Sequence, residues 1–155
     1  MRLPATILLL LNVLSAAAVA EQGGAVEFLN SGSLPEGLPF SEAVRVGNTL
    51  YLSGQIGTAA GTPGLVSGGI EAEAKQTLEN IRSTLQVYGY SMGDVVKCTV
   101  MLADIAEWST FNEVYRGFFQ PPYPARSAFA ANGLALGARV ELECMAAKAG
   151  TEKLN

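Results

Sequence analysis

The chain contains no histidine, which removes the commonest general base at neutral pH and the commonest zinc ligand. Proton transfer is then left to carboxylates and lysines. Ser41 with Asp104, or Ser53 with Asp94, are fragments of a nucleophile–acid pair, but a hydroxyl nucleophile needs a base to take its proton. Lys75, Lys97, Lys148 and Lys153 show no Ser-x-x-Lys spacing, so nucleophilic hydrolysis is disfavoured. There is no Walker-type phosphate loop and no dinucleotide fingerprint. Ser67-Gly68-Gly69 before a helical stretch is a weak anion-binding signal that a plain loop explains better. Cys98 and Cys144 each sit in an apolar, strand-like run. They read as two buried thiols, with a disulfide as the alternative that an oxidising compartment would permit. Two cysteines without histidine do not make a metal site.

Arg126 stands apart. It lies in Pro124-Ala125-Arg126-Ser127-Ala128, after a proline-stiffened turn and among small neighbours. A planar guanidinium beside little bulk suits bidentate capture of a carboxylate. A surface arginine, or a structural ion pair with Glu141 or Glu143, is the competing reading.

The elements that must position it follow from hydrophobic periodicity. Val26 to Leu29 reads as a first strand. Ala43-Val44-Arg45-Val46 and Thr49 to Ser53 flank the turn signal Gly47-Asn48 and read as a hairpin. Gly54 to Gly69 reads as an irregular connection. Ile70, Ala74, Leu78, Ile81, Leu85 and Tyr88 recur at helical spacing, with Glu71, Glu73, Lys75, Glu79 and Arg82 mostly off the stripe, and Gly89 supplies a stop. Asp94 to Ala103 reads as a strand with Val96, Cys98, Val100 and Leu102 on one face. Asp104 is placed to cap a second helix running to Phe119, which buries Ile105, Trp108, Phe111, Tyr115 and Phe118. Pro121-Pro122-Tyr123-Pro124 ends it, and 125–131 and 139–147 are further strands. One sheet with both helices on a single face is the economical α+β arrangement. Its second face, with Val95, Thr99, Met101, Met145 and Ala147 beside Glu141 and Glu143, is too apolar to be left wet and suggests an oligomer interface.

The N-terminus has a different character. Arg2, the apolar run Ile7 to Val13 and the small residues Ala18-Val19-Ala20 have the layout of a signal peptide cleaved before Glu21. The apolar run is short for a membrane anchor. Export to the periplasm or the medium is expected, with no membrane attachment after cleavage. Removing 20 of the 155 residues leaves 135, enough for one domain. Without Arg2, nine basic side chains face fourteen acidic ones, so nucleic-acid binding is disfavoured. The chain divides into a signal at 1–20, a leader and first strand at 21–38, a main domain at 39–149 and a tail at 150–155.

Six stretches then occur in order: Pro39-Phe40-Ser41-Glu42-Ala43-Val44, Leu50-Tyr51-Leu52-Ser53-Gly54-Gln55-Ile56, Asp94-Val95-Val96-Lys97, Phe111-Asn112-Glu113-Val114-Tyr115, Pro124-Ala125-Arg126-Ser127 and Val140-Glu141-Leu142-Glu143. Together they closely resemble the RidA (YjgF) family of reactive-intermediate deaminases over nearly all of the mature chain. The resemblance implies a chorismate-mutase-like α+β fold with a single mixed sheet, assembled as a homotrimer with active sites between neighbours. It implies hydrolysis of 2-imino acids and enamines to 2-oxo acids and ammonia, with no metal or organic cofactor. Arg126 would grip the substrate carboxylate, and Ser53 and Gly54 would line the pocket. Asn112 would stand at its edge, and Glu141 would hold or protonate around the attacking water. Proximity to Glu143, or partial burial, would raise the Glu141 pKa. The sequence departs from the family pattern at Phe40, where many members have tyrosine, at Ala128, where some have cysteine, and at Ala135, where proline is common. A non-catalytic trimeric binder of small carboxylates or oxo acids is the alternative. The endoribonuclease activity attributed to some relatives is disfavoured by the acidic surface.

Overall fold

Ala43, Leu50 and Leu52 are buried because the hairpin alternation puts them on one face of a sheet. The computed structural model describes residues 24–35, 37–59, 61 and 64–149. The expected signal at 1–20 and the tail at 150–155 lie outside the described residues. The strands are β1 (Val26–Leu29), β2 (Ala43–Val46), β3 (Thr49–Leu52), β4 (Gln55–Ile56), β5 (Val95–Leu102), β6 (Ala125–Ala130) and β7 (Val140–Ala147). The helices are α1 (Gly69–Val87) and α2 (Trp108–Phe118). All seven strands form one mixed sheet in the order β1-β2-β3-β7-β5-β6, with β4 also pairing to β7. Only β5 and β6 run parallel, joined by the α2 crossover; the other pairs are antiparallel.

The core is the layer between this sheet and the two helices. On α1, Ile70, Ala74, Leu78, Ile81 and Leu85 are buried as the helical spacing requires. They pack with Phe111 and Tyr115 of α2 over Leu50, Leu52, Val100, Leu102, Val140 and Leu142. Each large apolar side chain so buried contributes about 1.5–3 kcal/mol.

Four local expectations are corrected. A register shift between Val95 and Lys97 interrupts the β5–β7 ladder. Val95 therefore joins the core and Val96 is exposed, the reverse of simple alternation. Ile105 is exposed, because Asp104 caps a single 3-10 turn at Ile105–Glu107 by accepting from the Ala106 N–H, and α2 starts only at Trp108. Glu73 is buried, and its Oε2 accepts from the Arg139 N–H at 2.8 Å. Gly57 permits the neighbouring approach of chain to helix, since a Cβ there would lie 2.8 Å from the Glu73 Cα. The connection after Gly54 is also partly regular, because β4 pairs with Glu141 and Leu142.

A further correction concerns the cysteines. Cys98 of β5 and Cys144 of β7 are directly opposed in the antiparallel register, 4.2 Å apart at Cα, and form a disulfide. Both are fully buried. Strand alternation does imply burial for each, but only the register brings them together across a separation of 46 residues.

A second buried charge organises the entry to β2. Glu42 is 3% exposed. Its carboxylate accepts from the Ser31 N–H, the Ser33 hydroxyl and the Tyr88 hydroxyl at 2.8, 2.9 and 2.6 Å. Burial pushes its pKa up, but these donors outweigh burial and hold it below the ordinary carboxylate value. The same contact, together with burial, pushes the Tyr88 phenol up to about 12. A depressed folded pKa stabilises the fold above the unfolded value, and that stability is lost as pH falls through the folded value. Glu42→Gln should therefore cost about 1–3 kcal/mol at neutral pH. Thermal melts should show the gap from wild type closing as pH drops through the carboxylate range; a gap independent of pH would refute the role of the charge.

Candidate functional site

Arg126 projects from β6 toward α2. It is the neighbour of Cys98 in the parallel register, so its side chain leaves the sheet on the helix-covered face. Its guanidinium carbon lies 4.8 Å from the centroid of the Trp108 ring, 4.6 Å from Tyr115 and 5.8 Å from Phe111. Such contacts are worth about 0.5–1 kcal/mol when exposed and more when desolvated. They hold the guanidinium over the ring faces, and its N–H donors have no partner among the described residues. Arg45, Arg82, Arg116 and Arg139 each pair with a glutamate. Among the described residues Arg126 is the arginine with no ion pair and no hydrogen bond. The structural ion pair with Glu141 or Glu143 that sequence alone allows is not formed.

The residues around Arg126 enclose a cleft of about 440 Å³, lined by Trp108, Asn112, Tyr115, Arg116, Tyr123, Pro124 and Arg126. Trp108, Asn112 and Tyr115 follow helical spacing along one side of α2. The proline-bounded turn supplies Tyr123 and Pro124. Tyr115 is almost fully buried, and its hydroxyl has no hydrogen-bond partner. Burial raises its pKa, partly countered by the Arg126 charge.

Glu141 lies elsewhere. It alternates with the fully buried Val140 and Leu142 on β7, so it faces away from the helices. Its register neighbours are Met101 on β5 and Ile56 on β4. Its pKa is raised, first by burial and then by the nearby Glu143 charge. Gly54 touches it: a Cβ at that position would fall 2.1 Å from the Glu141 Oε1. The absence of a side chain at Gly54 is thus what admits the carboxyl group. Ser53 secures this corner, its hydroxyl donating to the Ser41 carbonyl at 2.7 Å and its N–H to the Glu42 carbonyl at 3.1 Å. Phe40 is exposed in the loop just before β2.

The six residues singled out from sequence therefore form two groups within one chain. Arg126 and Asn112 share the α2 cleft. Gly54 and Glu141 meet on the opposite side of the sheet, with Ser53 and Phe40 in the adjoining segments. Trp108, Tyr115 and Tyr123 are absent from the sequence-derived site. Trp108 and Tyr115 read there simply as core residues of a helix, and the aromatic spacing was their only signal. Among the described residues no group of three or more acidic or cysteine side chains is placed to hold a metal ion.

The chain matches a known family. A sequence model of the family described as Endoribonuclease L-PSP matches residues 33–148. The chain belongs to that family, also known as RidA or YjgF. A curated relative from Bos taurus, 2-iminobutanoate/2-iminopropanoate deaminase, is 47% identical over 108 residues, covering 70% of this chain and 79% of the relative. The crystal structure of RidA from the Antarctic bacterium Psychrobacter sp. PAMC 21119 superposes with a TM-score of 0.73 at 36% identity, covering 79% of this chain and 99% of that one. That of E. coli TdcF with bound serine gives 0.72 at 29% identity, again covering 79% and 99%.

Trp108 is the single tryptophan, and its ring packs against the group proposed to bind carboxylates. Titration with 2-oxobutanoate should therefore change its fluorescence saturably. Arg126→Ala should weaken that response about tenfold or more, as expected for losing a charge-assisted pair. An unresponsive wild type would remove Arg126 as a carboxylate site.

Proposed function

We propose that this protein hydrolyses reactive 2-imino acids, and the enamines that tautomerise to them, to 2-oxo acids and ammonia. The observation that carries this reading is the guanidinium of Arg126, packed over aromatic rings with no ion pair among the described residues, at an open cleft. A carboxylate bound to its edge is fixed in direction, which orients the adjacent C=N carbon for attack. Water adds to that carbon and the imine nitrogen takes up a proton; the carbinolamine then collapses, expelling ammonia and leaving the carbonyl. The deaminase activity named for the bovine relative and the serine bound in TdcF, itself a small amino carboxylate, support the same substrate class. A binder without turnover would need Arg126 but would have no use for a second, proton-holding carboxyl group.

Glu141 supplies that second group. Burial and the Glu143 charge raise its pKa, which favours the protonated form relative to an ordinary carboxylate and suits a group that passes a proton to the leaving nitrogen. Turnover that uses this proton falls as pH rises through the raised value. The step needs no metal or organic cofactor, because a protonated imine is already electrophilic. Glu141 and Arg126 lie on opposite faces of one sheet, so a single chain does not assemble both. We infer a homotrimer in which the Arg126 cleft of one subunit meets the Ser53, Gly54 and Glu141 corner of its neighbour. The helix-free face supports this, since Tyr51 and Phe129 are exposed there and Met101 and Met145 half-buried. Phe40 and Asn112 would border the shared pocket. No nucleic-acid partner is proposed, because the same face carries Glu141 and Glu143.

Arg126→Ala and Glu141→Gln should each abolish the protein's ability to suppress semicarbazone trapping of 2-iminobutanoate generated in situ. Mixing the two inactive variants by co-refolding should restore about a quarter of wild-type turnover, the random chance that an intact Arg126 meets an intact Glu141 across a heterologous interface. No recovery would place each site within one subunit.

Export to the periplasm or the medium is proposed from the first 20 residues, and no membrane attachment after cleavage. The buried Cys98–Cys144 disulfide supports the reading, since such bonds persist in oxidising compartments. Closing this loop is worth about 2–4 kcal/mol. A Cys98→Ala/Cys144→Ala protein should therefore melt several degrees lower, and a reporter fused to residues 1–20 should leave the cytoplasm. A reporter retained in the cytoplasm would end the export proposal.

A further inference from the structure

Glu42 is a buried carboxylate with no direct part in the deamination. Its Oε1 accepts from the Ser33 hydroxyl at 2.9 Å and from the Thr84 hydroxyl at 3.4 Å. Its Oε2 accepts from the Ser31 N–H at 2.8 Å and from the Tyr88 hydroxyl at 2.6 Å. Its own N–H donates to the Asn30 Oδ1 at 2.9 Å. This one residue thus ties the 30–33 loop and the end of α1 to the start of β2. None of these groups lines the cleft of Arg126.

The segment so fixed leads into the Glu141 corner. Phe40 lies just before it in the chain. The Glu42 carbonyl accepts from the Ser53 N–H at 3.1 Å, and the Ser41 carbonyl accepts from the Ser53 hydroxyl at 2.7 Å. Ser53 is therefore held by backbone and side chain to the anchored segment. On the other side of Gly54, Gln55 and Ile56 pair with Leu142 and Glu141. Gly54 is bracketed by these attachments, and its missing side chain is what admits the Glu141 carboxyl. Hydrogen bonds fix direction as well as distance, so a shift of residues 41–42 moves the wall against which Glu141 is half-buried.

We propose that Glu42 is a positioning residue for the deamination: its buried carboxylate locks the segment that holds Ser53 and Gly54, and through them fixes the Glu141 carboxyl. The inference rests on the deaminase reading for the reaction it serves, and on these hydrogen bonds for the coupling. A glutamine at position 42 keeps one acceptor oxygen and turns an amide NH2 toward the other donors, leaving a buried donor unpaired. The corner then loosens and water reaches Glu141. Burial is the first cause of the raised Glu141 pKa, so its titration moves down toward the ordinary carboxylate value. The other charged groups on its face are Glu143 on β7 and Lys97 on β5, and Arg45 is the cation nearest the Glu42–Tyr88 pair. None of them changes in the variants below.

The test uses the full mature protein, assayed well below the melting temperature of each variant. In Glu42→Gln, kcat for 2-iminobutanoate should fall about tenfold or more, as expected for a displaced catalytic group. Affinity for 2-oxobutanoate, read from Trp108 fluorescence, should stay at the wild-type value, because Arg126 carries it. The fall of turnover with rising pH should begin at lower pH than in wild type. Carboxyl-carbon NMR, with the Glu141 signal assigned by its loss in Glu141→Gln, should show the same downward move of the titration midpoint. If Glu42→Gln does not fold, Ser33→Ala and Tyr88→Phe each remove one donor and should move the midpoint the same way by less. An unchanged kcat, a loss confined to KM, or a Glu141 midpoint that stays in place would overturn the inference. If wild type turns over no imine but the midpoint still moves, the deaminase reading fails and the coupling of Glu42 to Glu141 stands.

Discussion

The site is built around a cation held by aromatic faces rather than by an anion. Trp108 and Tyr115 fix the guanidinium of Arg126 without neutralising it. An ion pair in the same place would satisfy the charge and close the site to ligands. Contact with the rings holds the group in place and leaves its N–H donors without a partner among the described residues. The fold supplies what this requires. The β5–α2–β6 crossover sets α2 across the strand that carries Arg126, and the proline-bounded turn between them brings Tyr123 and Pro124 to the opening. Phe111, fully buried beneath, ties the same helix to the core.

The second carboxyl group depends on a different device. Glu141 is raised in pKa by burial and by Glu143, and it is admitted by the absence of a side chain at Gly54. Ser53 and Glu42 hold that corner through backbone contacts, and Glu42 in turn gathers Ser31, Ser33 and Tyr88. A buried ion with several donors is costly to disturb, so the loop before β2 and the end of α1 are fixed together. The cross-strand disulfide joins β5, the neighbour of the Arg126 strand, to β7, the strand of Glu141. Arg126 and Glu141 thus both sit on regular strands of the sheet, where side chains are held more precisely than on loops.

Periodicity and turn chemistry in the sequence determined the element order, the identity of the α1 core stripe and the hairpin at Gly47-Asn48. Burial of a repeating apolar face is a local property, so spacing reveals it. The ordered motifs likewise pointed to Arg126, Glu141, Ser53, Gly54 and Asn112, and to the family to which the chain belongs. Where local reasoning failed, a long-range contact or an unforeseen local turn had intervened. The register shift at Val95 and Lys97 reversed which valine is buried. The backbone N–H of Arg139 recruited Glu73 into the interior. The 3-10 turn capped by Asp104 left Ile105 in solvent.

Tertiary structure alone decided the rest. Cys98 and Cys144 were each legible as buried, but their pairing needed the β5–β7 register. Trp108 and Tyr115 were legible as one side of a helix, but their role as walls for Arg126 needed the crossover that lays that helix over β6. Arg126 and Glu141 look like partners along the chain, yet sheet alternation sends them to opposite faces. Side-chain type and spacing specify which groups exist and which local face they occupy; only the pairing of distant strands specifies what each group meets.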